Sequence, residues 1–203
     1  MQVSGAAGGE PPIHASMLAY PDWTLKQHWD DRGALAEIRR GSWDFVVLQG
    51  HSLSTLEARE RLHEYGRRFD SAIREAGART VFFMTWARRG RPEMLAAVRD
   101  GYGSIAAELG AVLVPVGPAW QLAHERHPEI HLWHVDGSHP SPAGTYLAAA
   151  MFYGVLTGGG SAVGADHEGF GYLDTAEIRA LQEVAAELVA GPSSGQEEDR
   201  DSA

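Results

Sequence analysis

The sequence predicts an α/β fold in which a parallel sheet carries helices on both faces. Short apolar runs rich in β-branched and aromatic residues recur at 43–49 (WDFVVLQ), 80–85 (TVFFMT) and 111–116 (AVLVPV), as expected of strands buried on both faces. Each is followed by a longer stretch with helical spacing, and strand–helix alternation is the pattern of a parallel sheet with crossover helices. The length, 203 residues, suits one domain that buries roughly 70% of the surface its unfolded chain exposes.

Taken in order, residues 13–18 (IHASML) form a short strand candidate. Residues 25–39 follow, with Leu25, Trp29, Leu35 and Ile38 at loosely helical intervals, which predicts one helix. The run at 43–49 is a stronger strand. Ser54-Thr55-Leu56-Glu57 has the form of a capping box, a hydroxyl with a Glu three positions on, and the helix it opens is expected to reach Ala76, with Gly77 as the stop. After the strand at 80–85, residues 92–109 are helical and end at Gly110. The strand at 111–116 is followed by a short helix over 119–126 and a loop over 127–139 rich in His, Pro, Asp and Gly. Ser141-Pro142 is an N-cap with proline at the first helical position, opening a helix to about residue 157. Asp174 to Glu177 is a further cap, opening a helix to about residue 190. The organisation is one domain over 1–190 and a polar, acidic tail over 191–203 that reads as disordered.

Composition narrows the function classes. Zero cysteines exclude a disulfide framework, a zinc ribbon, an iron–sulfur site and a cysteine nucleophile. Lys+Arg 17 against Asp+Glu 27 gives a net charge of −10, a poor basis for general binding of nucleic acid or anionic membrane. The longest apolar stretch, at 146–156, is too short to span a bilayer. The opening MQVSGAAGGEPP lacks the basic start and apolar run of a signal peptide, so the chain as written reads as cytoplasmic. Residue 1 nevertheless does not look like the start of a domain, which leaves the compartment open, and nothing in the sequence bears on oligomeric state.

In parallel α/β sheets ligands bind outside the carboxyl ends of the strands, so chemistry is expected in the loops after Gln49, Thr85 and Val116 and in the loop over 127–139. The densest block is DGSHPSPAG, residues 136–144. Asp136 and His139 are separated by two residues, one of them Gly137, close enough in a tight loop for the carboxylate to reach one imidazole nitrogen. It would fix the tautomer and leave the other nitrogen as general base. The same residues are also ordinary turn chemistry. Gln49, Gly50 and His51 follow a buried strand, where two side-chain donors and an approachable backbone make a candidate oxyanion hole, or simply a turn. Ser52 shares that loop, and Ser54 is better explained as a cap. Trp86 could wall a pocket. Arg88 and Arg89 could meet an anionic group, although solvated arginines are the plainer reading. His124, His127, His131 and His134 resemble metal-ligand spacing, but Pro128 interrupts the helix and no cysteine assists, so no metal is assigned. The glycines over 5–10 precede a strand instead of following one, and no phosphate-binding loop occurs, so no cofactor is implied.

These pieces in this order resemble the SGNH/GDSL hydrolase superfamily, serine esterases and acylhydrolases with a flavodoxin-like sheet. Asp136-x-x-His139-Pro140-Ser141 followed by Gly144 to Ala148 resembles that family's Asp-x-x-His block and the helix behind it. WDFVVLQGHS resembles the strand of its third block in one bacterial branch, and PVGPAW (115–120) and TLKQHW (24–29) resemble the same branch. The resemblance covers about 13–158. It implies a flavodoxin-like parallel sheet, Asp136 and His139 as catalytic partners, and a pocket around Gln49, Gly50, His51 and Trp86. It also marks departures: His51 falls where the family has Asn, Gln49 falls on a Gly, and no Gly-Asp-Ser or Gly-Asn-Ser occurs. Residues 3–9 resemble the end of the family's first helix and 13–18 its second strand. The expectation is therefore a domain lacking its first, central strand and the serine turn after it, from a start misplaced by about 20 to 40 residues. Ser4, Ser16 and Ser52 are weaker substitutes.

The function expected from this resemblance is an ester hydrolase acting on a small ester, such as an acetylated carbohydrate or lipid, inactive as written for want of its nucleophile. Two alternatives stay open: a non-catalytic ligand-binding domain on the same fold, and a metal-assisted hydrolase using the histidine run.

Overall fold

The structure, a computed structural model, describes residues 13–51, 53–159 and 173–191. Three parallel strands form the sheet: β1 (Phe45–Leu48), β2 (Arg79–Met84) and β3 (Val112–Pro115), in the order β1-β2-β3. Phe45 is in register with Arg79 and Leu48 with Phe82; Val81 is in register with Val112 and Met84 with Pro115.

Side chains alternate across this sheet, and the alternation divides the core. Phe82 and Met84 face a layer made by α1 (Leu25–Asp31), α2 (Gly33–Arg40), α4 (Arg59–Glu75) and α5 (Met94–Leu109), where Phe69, Ile73, Val98 and Ile105 are fully enclosed. Val81 and Phe83 face the opposite layer, made by α6 (Val116–Arg126), α7 (Pro142–Leu156) and α8 (Thr175–Ala190), which encloses Trp120, Leu147, Met151 and Leu181. Burying such a side chain contributes roughly 1.5–3 kcal/mol, so each layer is held by many comparable terms. The expected helices-on-both-faces architecture is the observed one.

Several helix ends form as the sequence reads. Ser141 caps α7 by accepting the Gly144 N–H at 3.1 Å, with Pro142 at the first helical position. Asp174 and Glu177 form a reciprocal capping box at the start of α8. Gly77 (φ +82) and Gly110 (φ +59) terminate α4 and α5 in left-handed conformations.

Three local readings are corrected. Residues 14–20 form no strand: no described segment pairs with them, and Met17 is 85% exposed. A strand is stable only when its backbone groups find a ladder partner. The helix expected over 25–39 is two helices, because Arg32 adopts φ +65 and breaks the ladder, while the Gly33 N–H turns to the Asp31 carboxylate at 3.2 Å. The Ser54 capping box does not form. Leu53 occupies the cap position, Ser54 is buried, and a single turn, α3 (Ser54–Glu57), precedes Ala58 at φ −148 before α4 begins.

On the outer side of β1 no strand pairs among the described residues. By alternation Val47 faces the α7/α8 side, and it is 44% exposed, whereas Val81 on the neighbouring strand is fully buried. The tail at 192–203, most of the stretch between α7 and α8, and Ser4 and Ser52 lie outside the described residues.

Candidate active site

The loop between α6 and α7 is built by local hydrogen bonding. Trp133 and Pro140 form an antiparallel bridge, and the His134 N–H donates to the His139 carbonyl at 2.8 Å, closing a tight hairpin. At its tip the Gly137 N–H donates to the His134 carbonyl at 2.9 Å. Gly137 sits at φ +69, a left-handed conformation that costs other L-residues energy.

This winding aims two N–H groups at one carboxylate. Asp136 Oδ1 accepts the backbone N–H of Ser138 at 2.8 Å and of His139 at 2.9 Å. Asp136 Oδ2 lies 2.7 Å from His139 Nδ1. The Ser138 N–H first, then the His139 ring and backbone, hold the Asp136 carboxyl well below the usual carboxylate range. The ionised carboxylate therefore takes the proton on Nδ1, which leaves Nε2 with its lone pair outward in the neutral ring. The His139 side chain is 80% exposed, and Nε2 has no hydrogen-bond partner among the described residues. A second imidazole, His134, brings Nδ1 to 3.7 Å from Asp136 Oδ2.

Of the other expected site residues, Trp86 belongs with this loop: its Nε1–H donates to the Ser138 carbonyl at 2.9 Å. Trp86 stacks on Trp120, with ring centroids 4.0 Å apart and planes 9° apart, and Trp120 meets Trp133 edge-on at 5.2 Å. The Trp133 Nε1–H returns a bond to the Ala87 carbonyl at 3.0 Å. The end of β2 and the Asp136–His139 loop are thus one packed unit. Gly144 makes this possible, since a Cβ there would lie 2.4 Å from Trp120 Cζ2 and 2.3 Å from the Leu132 carbonyl oxygen.

The segment after β1 makes no hydrogen bond or ion pair with Asp136 or His139 among the described residues. Gln49 is exposed. Gly50 is buried, and its N–H donates to Tyr102 Oη at 3.0 Å, so that donor is engaged within the protein. His51 Nδ1 accepts the Leu53 N–H at 3.4 Å, and Nε2 lies 3.8 Å from Asp22 Oδ1. An acceptor role for Nδ1 places the proton of the neutral ring on Nε2. Burial pushes the Tyr102 phenol up to about 12, against the opposing pull of the Gly50 and Thr85 hydrogen bonds. Sequence reasoning missed Tyr102, because in an apolar helical repeat it reads as core. It also missed the role of Arg89, whose guanidinium reaches the carbonyls of His134 and Val135.

The histidine run does not gather: no group of three or more His, Asp or Glu side chains with metal-binding proximity occurs among the described residues. His124 stands edge-on to Trp133 at 5.2 Å, and His127 lies 3.4 Å from Glu129. No described helix is long and apolar enough to cross a membrane.

No family model matches this sequence. No curated protein matches it either. Among solved structures the chain is similar to a candidate SGNH hydrolase from Slackia heliotrinireducens, with 28% identity over 66% of this chain and 79% of that one and a TM-score of 0.58. It is also similar to a DUF4886 family protein from Bacteroides uniformis, with 21% identity over 81% of this chain and 69% of that one and a TM-score of 0.62. TesA aligns at 20% identity over 66% of this chain and 72% of that one, with a TM-score of 0.49.

Proposed function

We propose, from the loop geometry and from an α/β fold whose three-stranded parallel sheet, flanked by helices, matches that of an SGNH hydrolase structure, that Asp136 and His139 are the acid–base pair of a serine ester hydrolase. The observation that carries this reading is the 2.7 Å contact between an ionised Asp136 and His139 Nδ1, with Nε2 open to solvent. In the proposed reaction Nε2 removes the proton of a serine hydroxyl as its oxygen attacks an ester carbonyl. The imidazolium, stabilised by Asp136, then returns that proton to the departing alkoxide. Water repeats the cycle on the acyl-serine and releases the carboxylic acid. Trp86 forms a wall of the pocket, and donors on Gln49 and His51 face the oxyanion; the Gly50 N–H is not counted, since Tyr102 already receives it. The substrate class is a small ester, such as an acetylated carbohydrate or lipid. No described serine is assigned as the nucleophile; the family resemblance implies one in a block upstream of Met1.

The test is hydrolysis of a short-chain aryl ester by this chain and by a form extended upstream, each with and without His139→Ala. The reading expects activity in the extended form and a loss of at least about 100-fold on removing the imidazole. Activity that survives His139→Ala refutes the assignment.

A second reading, a ligand-binding domain without turnover, is favoured by one observation: no described hydroxyl hydrogen-bonds His139 Nε2. Saturable ester binding without hydrolysis in either form would select it.

A further inference from the structure

The backbone of the hairpin at 134–139 has its polar groups sorted by direction. Its N–H groups serve the hairpin itself and Asp136: those of His134 and Gly137 close the turn, and those of Ser138 and His139 bond Asp136 Oδ1. Four of its carbonyls, those of His134, Val135, Gly137 and Ser138, face the segment that follows β2, while the His139 carbonyl stays within the hairpin. Ser138 O receives Trp86 Nε1–H, and Gly137 O receives the Arg89 backbone N–H at 2.9 Å. The carbonyls of His134 and Val135 receive Arg89 Nη2 at 3.1 and 3.4 Å. Arg89 alone thus supplies donors to three of these carbonyls. Its side chain also lies along the tip, since a Cβ on Gly137 would be 3.6 Å from Arg89 Cβ and 3.8 Å from Nε.

We propose that Arg89 is a positioning residue for the Asp136–His139 pair. It holds the hairpin by its carbonyls, so that the opposite backbone groups stay turned to the Asp136 carboxylate and His139 Nδ1 stays within its reach. In the Gly137–Ser138 peptide plane the C=O accepts the Arg89 backbone N–H while the rigidly opposed N–H bonds Asp136; the guanidinium acts just before it, fixing the His134 and Val135 carbonyls that lead into Asp136. The planar guanidinium suits this task, since one nitrogen reaches two carbonyls while the stem covers glycine; a lysine ammonium at the same place is a flexible point charge. The catalytic meaning of this role rests on the acid–base reading above. The role itself can be measured without any turnover.

The experiment uses the full chain labelled with ¹⁵N-histidine and followed by NMR. A ring Nδ1–H bonded to a carboxylate gives a low-field proton in slow exchange with water, assigned to His139 by its absence in His139→Gln. In Arg89→Ala this proton is expected to broaden away, or to exchange about tenfold faster or more, together with the amides of Ser138 and His139. Arg89→Lys should restore part of the protection. Arg91→Ala, on the same segment but paired with Glu93, should leave it unchanged. A folded Arg89→Ala protein with the wild-type signal and exchange rate overturns the proposal. If Arg89→Ala does not fold by circular dichroism, Arg89→Lys decides: intermediate protection supports the role, and a signal indistinguishable from wild type removes it. A positive NMR result alongside no ester turnover would leave the positioning role standing and discard the hydrolase reading.

Discussion

Tyr102 Oη receives the N–H of Gly50 at 3.0 Å, a buried bond that joins the segment after β1 to the middle of α5. It matters because the Gly50 N–H has no other hydrogen-bond partner among the described residues. A Cβ on Gly50 would lie 2.8 Å from Leu62 Cδ1 and 3.2 Å from this same hydroxyl, so the backbone and the phenol are in direct contact. Tyr102→Phe keeps the ring packing and removes the hydroxyl that serves both the Gly50 N–H and Thr85. The expected cost is about 1–3 kcal/mol, the penalty of a buried unpaired N–H, read as a lower denaturant midpoint with unchanged slope. A variant as stable as the parent would mean that the N–H finds water or another acceptor.

The same phenol makes stability depend on alkaline pH. Its folded-state value of about 12 stands above the ordinary value of 10.0, so the unfolded chain ionises first. The stabilisation is fully present below pH 10 and is lost as pH rises toward 12. Difference absorbance of the phenolate should show Tyr102 titrating late, alongside Tyr146, which burial also raises, and the Tyr102 component should vanish in Tyr102→Phe.

Asp136 gives the opposite dependence. Its folded-state pKa is depressed, chiefly by the Ser138 N–H, so the stability it contributes is present above the ordinary carboxylate value of about 3.9 and is lost as pH falls below it. Asp136→Asn should flatten the acid limb by lowering stability at neutral pH toward the value both proteins share in strong acid, a modest effect because the carboxylate is exposed and its pairing screened. The carboxyl carbon of Asp136, followed by NMR in acid, should titrate last among the aspartates; a midpoint in the ordinary range would contradict the geometry.

Gly144→Ala tests the packed unit beneath the site. The added methyl meets Trp120 and the Leu132 carbonyl at distances no real Cβ tolerates, so either α7 or the tryptophan stack must shift. A destabilisation of about 1–3 kcal/mol or more is expected, with altered fluorescence from the Trp86–Trp120 pair. Unchanged fluorescence would show that the stack does not bear on Gly144.

Gly137→Ala tests the hairpin tip. A φ of +69 costs an alanine roughly 1–2 kcal/mol, while the methyl itself would reach only van der Waals contact with the Arg89 stem. The expected result is a small loss of global stability and a larger loss of amide protection at Ser138 and His139. Equal protection in the variant would separate the tip conformation from the carboxylate bonds.

Much of the fold was legible because the signals are local. FVVL, RTVFFM and VLVP are continuous apolar runs too short for helices, and Gly77, Gly110 and Ser141 mark helix ends by backbone chemistry. The failures differ in cause. Residues 14–18 have apolar character but no strand beside them among the described residues, and Ser54 has a capping pattern but is drawn into the interior; there nonlocal packing overrides a local preference. Arg32 breaks a helix that periodicity runs through, at a left-handed turn where the Asp31 carboxylate takes the Gly33 N–H.

For the site, the sequence by itself put Asp136 within reach of His139 across two residues, one of them Gly137, and carried the helix cap that follows, with ordinary turn chemistry as the other reading of the same block. What only the tertiary structure decided is what surrounds the pair. Trp86 and Arg89 lie 52 and 45 positions from the carbonyls of Ser138 and His134 that they hold, and Tyr102 lies 52 positions from Gly50. Such partners come together only when strands of a parallel sheet bring their carboxyl ends to one side. No spacing rule along the chain encodes that encounter, because it depends on how whole layers pack.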